Sequence, residues 1–378
     1  MNVYLDHAAT TPLHSEVKSC LISLMDEVNG NPSSIHRYGR DARQKIEEAR
    51  KNIAAMLGAE PTEICFTSSG TEADNMAVIT AVRQNYIRHV LSSPIEHHAV
   101  LNTFRQLADN GEIELDFITP DSKGHIDLNE IEDWLKKHPG SLVSLMHANN
   151  EIGTMIDLKE VGDLCHSYDA LFHTDTVQTI GYFNFNLQDL PVDYLAGSAH
   201  KFYGPKGIGF LYHASGCKVG PLIYGGGQEK RLRAGTENVH GIYAMAKALE
   251  VMEQSRQEFA PVMKKRKQEL IDKISSRIPE AHFNGDPEGQ SHYTVVNVTL
   301  PKFEGQALFF ARLDQAGIAA SGGSACSGGG SSHVIETINP EAEGVTVRFS
   351  IGTSTTSEEI EYTVDKVMEI MGVTTEVA

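Results

Sequence analysis

Three short apolar runs, each ending in polar or charged residues, constrain the fold of this chain more than any other feature. Residues 142–146 lead into Asn149-Asn150-Glu151, residues 170–172 into His173-Thr174-Asp175-Thr176-Val177-Gln178, and residues 194–197 into Ser198-Ala199-His200-Lys201. A continuous apolar run bounded by polar and turn residues reads as a buried strand. In open parallel sheets, ligands collect beyond the carboxyl ends of such strands. The runs therefore predict an α/β fold whose site draws on Asn150, Asp175 and Lys201.

Lys201 is the most informative of these residues. It follows a strand-like run and precedes Gly204-Pro205, a turn signal. Most lysines are solvated at the surface. One delivered from a strand end into a cleft is partly desolvated, and its amine can attack a carbonyl. Asp175 stands at the end of another run. A lysine that holds an aldehyde as a Schiff base, paired with an acid that keeps a pyridine nitrogen protonated, is what pyridoxal phosphate chemistry requires. Gln178 is close enough in sequence to Asp175 to donate to the ring hydroxyl.

Other stretches are ambiguous when read alone. Phe66-Thr67-Ser68-Ser69-Gly70-Thr71-Glu72 ends a strand and opens a helix. Free N–H groups there can cradle a phosphate, and a simple N-cap explains the same residues. In Ile95-Glu96-His97-His98, an imidazole could lie on a ring and exchange protons, or be a satisfied structural histidine. Arg348 lies in an alternating apolar strand, Thr346-Val347-Arg348-Phe349, and an arginine can grip a carboxylate with two parallel hydrogen bonds. Gly322-Gly323-Ser324-Ala325-Cys326 continues into Ser327-Gly328-Gly329-Gly330, one thiol among small residues. Such a loop holds no core but can move, as a sulfur carrier must.

Taken together, these motifs resemble the cysteine desulfurases of the NifS/IscS type, in the class V aminotransferase group of fold-type I pyridoxal phosphate enzymes. The resemblance runs in the family's order from Leu5-Asp6-His7-Ala8-Ala9-Thr10-Thr11-Pro12 to Thr355-Thr356-Ser357-Glu358-Glu359-Ile360. It implies a large domain over residues 15–255, built on a mainly parallel seven-stranded sheet. Residues 1–14 and 256–378 would form a smaller α+β domain carrying the mobile cysteine loop.

The resemblance also implies roles. Gly70, Thr71, Ser198 and His200 contact the cofactor beside Lys201, Asp175 and Gln178, with Gly70 and Thr71 at its phosphate. His97, rather than His98, lies against the ring. Asn150 serves cofactor and substrate carboxylate, and Arg348 grips that carboxylate. Thr236, in Gly235-Thr236-Glu237-Asn238, crosses a homodimer interface to the phosphate of the partner's site, and residues 30–36 shape the site near the subunit boundary. Lys201, His97 and Cys326 are the catalytic set, with no metal.

The implied reaction converts L-cysteine to L-alanine and leaves the sulfur on Cys326 as a persulfide. An acceptor protein in iron–sulfur cluster, thio-cofactor or tRNA biosynthesis would then take it. A selenocysteine lyase or another class V aminotransferase-type enzyme is the alternative. Two departures stand out: the segment between Cys326 and Ser332-His333 is shorter than in long-loop members and lacks a proline before the serine, and Thr353 occupies a position where arginine is frequent.

Composition narrows the setting. A chain of 378 residues exceeds one compact core. Its formal charge of −18 opposes non-specific binding to nucleic acid or anionic membrane. No apolar run approaches the roughly 20 residues that span a bilayer, and the first residues do not resemble a signal peptide, so cytoplasmic residence is expected. The five cysteines are scattered, which disfavours a disulfide framework or zinc site. Helices are expected over 41–57, closed by Gly58, and over 72–86, 239–276 and 307–316. A strand is expected over 293–300, and an extended arm over 5–12.

Overall fold

The computed structural model describes residues 1–323 and 332–373. The first part of the chain comprises β1 (Val3–Tyr4), α1 (Ser15–Glu27), α2 (Arg37–Leu57), β2 (Ile64–Thr67), α3 (Gly70–Asn85), β3 (His89–Ser92), α4 (His98–Asp109), β4 (Glu114–Phe117), α5 (Leu128–Leu135), β5 (Leu142–Ser144), α6 (Leu158–Ser167), β6 (Leu171–Asp175), β7 (Tyr194–Ser198) and β8 (Gly209–His213). Beyond it lie α7 (Val239–Arg277), β9 (His282–Asn284), β10 (Val295–Leu300), α8 (Phe309–Gln315), β11 (Ile318–Ala319), α9 (His333–Ile338), β12 (Val345–Ser350) and α10 (Ser357–Met371).

Seven strands form one sheet in the order β2-β8-β7-β6-β5-β3-β4. From β7 to β4 every pairing is parallel, and β8 alone runs antiparallel to both of its neighbours. This is the mainly parallel seven-stranded sheet that the family resemblance implies. Its central strands are apolar without alternation because helices cover both faces. On one face, Ala73, Met76 and Ala77 of α3 and Phe104 of α4 pack against Val90, Tyr194 and Leu211. On the other, residues of α1, α2, α6 and α7 form the largest core. Edge strand β4 leaves Glu114, Asp116 and Phe117 exposed.

A second, antiparallel sheet has the order β12-β10-β9, and β1 pairs in parallel with β11. Val3 and Leu5 of the amino-terminal arm share a core with Leu270, Ile274, Val298, Phe309, Val347 and Val364. Helix α7 joins the two cores: Phe259 and Met263 belong to the first, Leu270 and Ile271 to the second.

Element boundaries differ from the sequence expectations where side chains cap the backbone. Helix α2 begins at Arg37 rather than Asp41 because the His36 imidazole accepts the Gly39 N–H at 3.3 Å. Its end, Gly58, has φ 65°, as expected for a glycine cap. Helix α3 starts at Gly70, capped by Ser69, whose hydroxyl accepts from Glu72 N–H. The arm stays extended through Asp6, which bridges to Ser350. Ala9 and Thr10 then donate to the Asp6 carbonyl, and the resulting turn redirects the carbonyls of Ala8 and Ala9.

Candidate active site

The carboxyl ends of β6 and β7 meet the start of α3 around a cavity of about 190 Å³. Ten of the residues expected at a site line it together: Gly70, Thr71, His97, Asn150, Asp175, Gln178, Ser198, His200, Lys201 and Arg348. The strand ends deliver Asp175 and Ser198, and the short 3₁₀ turn Ala199–Lys201 carries His200 and Lys201 into the cavity.

Lys201 Nζ donates to the carbonyls of Ala8 (2.6 Å) and Ala9 (2.8 Å). The Tyr182 hydroxyl donates to the Lys201 carbonyl at 3.0 Å. The amine is thus aimed by backbone acceptors from the amino-terminal turn. Gln178 Nε2 also donates to Ala8, at 3.1 Å. Asp175 Oδ1 accepts the Val177 N–H at 2.8 Å. Burial pushes the Asp175 carboxyl up to about 6, against the opposing pull of the Val177 N–H and the Lys201 charge.

His97 caps α4, its Nδ1 accepting from Ala99 N–H at 3.1 Å. That bond leaves the proton of the neutral ring on Nε2. Burial, reinforced by Lys201, His98 and His333, lowers the His97 pKa to about 4. His98 begins α4 outside this cavity, its ring 4.6 Å from that of His333.

Arg348, on β12, is 1% exposed. Nη1 donates to the Asn150 carbonyl at 2.8 Å and Nη2 to Asp6 Oδ1 at 2.9 Å, while Nε has no partner among the described residues. A guanidinium held this way retains donor capacity for a carboxylate. Thr353, at the position where arginine is frequent, donates its N–H to the Tyr203 hydroxyl at 2.8 Å.

The residues fit pyridoxal phosphate. Ser69 takes the Glu72 N–H, and the helix start leaves the N–H groups of Gly70 and Thr71 for an anion. A side chain at Gly70 would fill this cradle, since a Cβ there would fall 2.5 Å from Val177 Cγ2 and 3.3 Å from Ser198 Cβ. A buried acid beside a half-buried lysine amine suits a cationic ring nitrogen and an aldehyde.

One expected residue lies elsewhere. Thr236 lines a separate recess with Phe66, Ser68, Arg233 and Gly235. Cys326 lies outside the described residues. Sequence reasoning missed Asp74, which lines the cavity, and Asp6, which pairs with Arg348. Asp74 left a signal: it falls on the apolar face of α3 with Ala77, Val78 and Ala81, where a charge is out of place. Asp6 left none.

Comparison with known proteins agrees with this geometry. The model of the family described as aminotransferase class-V matches residues 3–363. A relative named cysteine desulfurase IscS, from Dictyoglomus turgidum, is 41% identical over 375 residues, covering 98% of this chain and 94% of its own. A solved structure titled NifS-like protein superposes with a TM-score of 0.91 at 35% identity, covering 99% of this chain and 100% of the other. Another, titled SspA in complex with cysteine, has a TM-score of 0.79 at 31% identity and covers 94% and 100%. A lysine and an acid at the ends of adjacent parallel strands, inside a fold matched over nearly its whole length, carry one conclusion: the chain belongs to the class-V aminotransferase family, in its NifS/IscS cysteine desulfurase group.

Proposed function

We propose that this chain is a pyridoxal phosphate-dependent cysteine desulfurase that converts L-cysteine to L-alanine and passes the sulfur to Cys326. The observation that carries the proposal is one cavity lined by Lys201, Asp175, His97 and Arg348. In the net reaction the substrate C–S bond breaks and an S–S bond forms on Cys326. The substrate β-carbon is reduced and takes a proton, while the transferred sulfur is oxidised to the persulfide level. Atoms and electrons balance without an outside oxidant.

Gly70, Thr71, Ser198, His200 and Gln178 would hold the cofactor, with Lys201 at its aldehyde and Asp175 at its ring nitrogen. When bound, pyridoxal phosphate supplies the electron sink that labilises bonds to the substrate α-carbon. Arg348 and Asn150 orient the substrate carboxylate. Lys201, aimed by the Ala8 and Ala9 carbonyls, moves protons at the substrate carbons. His97 works as a neutral imidazole that presents Nε2–H, because its proton affinity is depressed. Cys326 is the nucleophile toward the substrate sulfur.

The protein acts as a homodimer in which Thr236 reaches the partner's cofactor phosphate. This reading is supported by the position of Thr236 in a recess apart from Lys201. It is also supported by the exposure of Ile35 (92%) and Tyr224 (84%), apolar surface suited to a partner. Residues 15–255 form the cofactor domain and the remainder the smaller one, with α7 crossing between the two cores. An acceptor protein takes the persulfide sulfur toward iron–sulfur cluster or thio-cofactor synthesis. No helix among the described residues is long and apolar enough to cross a membrane, which accords with work in the cytoplasm.

The test is sulfide and alanine production from L-cysteine with a thiol reductant, comparing the wild type with Cys326→Ala. Equal amounts of both products from the wild type and almost none from the variant are expected. Activity that survives in the variant would favour a selenocysteine lyase or another class V reaction, and a wild type that holds pyridoxal phosphate without desulfurating cysteine would refute the assignment.

A further inference from the structure

Behind Asp175 lies a second buried acid that the proposed mechanism does not use. His173 and Asp175 are two residues apart on β6, so their side chains leave the same face of the strand. Helix α3 lies against this face, and its Asp74 lines the same cavity as Asp175. Asp74 is 1% exposed and His173 is fully buried. Asp74 Oδ1 is 3.5 Å from His173 Nε2, and neither atom has a hydrogen-bond partner among the described residues. On the other side of the ring, His173 Nδ1 is 2.8 Å from Ser144 Oγ.

Two proton arrangements satisfy this chain of groups. In one, the neutral imidazole donates from Nε2 to an ionised Asp74, and the Ser144 hydroxyl donates to Nδ1. In the other, a protonated Asp74 donates to Nε2, and Nδ1–H donates to Ser144 Oγ. The first places two carboxylate charges in one buried site, which is strongly unfavourable.

The surroundings choose between them. Asp74 faces Asp175 from β6 and Glu96 from the segment before α4, and burial together with these two acids raises its pKa well above the carboxylate range. Asp175 receives the Val177 N–H and the pull of Lys201, which follows β7. His173 offers no cation, because burial holds it down to about 3. We propose that Asp74 carries a proton and donates it to His173, so that of this buried pair Asp175 alone is charged toward the cofactor ring. The proposal rests on the cofactor reading given above. Asp74 is a positioning residue in it: the neutral Asp74–His173–Ser144 chain keeps a competing anion away from the ring nitrogen.

The experiment uses the holoenzyme, its Asp74→Asn variant, and Asp175→Asn as a control. The first readout is the infrared spectrum of protein carrying ¹³C-labelled aspartate. A protonated-carboxyl C=O band is expected in the wild type at neutral pH and not in D74N. The second is the pH midpoint of the bound cofactor's visible absorbance. Asparagine mimics a neutral carboxyl and can still donate to His173, so D74N should keep the midpoint within about twofold in proton affinity, whereas D175N shifts it by about tenfold or more. Absence of the band from the wild type, or a shift of about tenfold in D74N, overturns the proposal by making Asp74 a second anion. If D74N does not fold, the wild-type band followed across pH decides alone. A wild type that binds no pyridoxal phosphate would instead sink the functional reading, so the two failures are distinguishable.

Discussion

Replacing Glu229 with glutamine should destabilise the large core through a buried ion pair. Arg50 Nη1 and Nη2 donate to the Glu229 carboxylate at 2.8 and 2.7 Å, and both side chains are 3% exposed. The carboxylate also accepts the Phe66 N–H at 2.8 Å, and Arg50 donates to the Ile64 carbonyl, so the pair ties α2 to strand β2. The segment it anchors is strained, because Glu229, Lys230 and Arg231 all have positive φ, at 44°, 55° and 72°. Glu229→Gln keeps the shape but leaves the buried guanidinium only the half-exposed Glu47 carboxylate, 3.3 Å from its Nε, as counter-charge. Breaking a buried pair from one side costs about 3–5 kcal/mol, or roughly two to four powers of ten in the folding equilibrium. Urea unfolding followed by the fluorescence of Trp134, the chain's one tryptophan, reads this core directly, since Trp134 packs against it. The midpoint should fall with an unchanged slope. Arg50→Met combined with Glu229→Met should cost less than the sum of the single changes, because no lone charge remains buried. A Glu229→Gln loss below about 1 kcal/mol, or additive single variants, would refute the reasoning.

Two further outcomes follow from the cavity and its surroundings. Gly70→Ala should weaken cofactor retention by about fivefold or more, because overpacking against Val177 and Ser198 costs roughly 1–3 kcal/mol at the phosphate cradle; retention equal to wild type on gel filtration would contradict it. Acid should unfold the protein early. Burial lowers His97 and His147 to about 4 and His173 and His292 to about 3. These groups are neutral when folded yet protonate near 6.5 when unfolded, so stability is fully present above about pH 6.5 and lost as pH falls toward 4. Four such groups alone would give a slope of about 5 kcal/mol per pH unit, but Asp74, Glu96 and, below about pH 6, Asp175 hold protons when folded and release them when unfolded, so the net slope is about 1–3 kcal/mol per pH unit; a midpoint in urea that stays flat between pH 6.5 and 5 would count against it.

Much of the site was legible in the sequence because its signals are local. An apolar run followed at once by a polar residue marks a buried strand end, which put Asn150, Asp175 and Lys201 on one edge of a sheet before any contact was known. Gly70 and Thr71 were legible as a strand-to-helix turn. The start of α2 was not, since His36 is an uncommon cap and apolar periodicity begins only after it. Cys326 was legible only as a thiol among glycines.

What the sequence by itself determined is therefore the element types, the parallel sheet, and the residues that arrive at its strand ends, all set by side-chain period and by neighbours a few positions away. Tertiary structure decided which distant groups meet. Lys201 is aimed by the carbonyls of Ala8 and Ala9, which have no side-chain signature. Arg348 meets Asn150 and Asp6 only because β12 packs beside the amino-terminal turn. Asp74 reads as an odd charge on an apolar helix face until α3 is laid across β6 and brings it to His173 and Asp175. Such meetings depend on how the layers pack, and neither local propensity nor period encodes that.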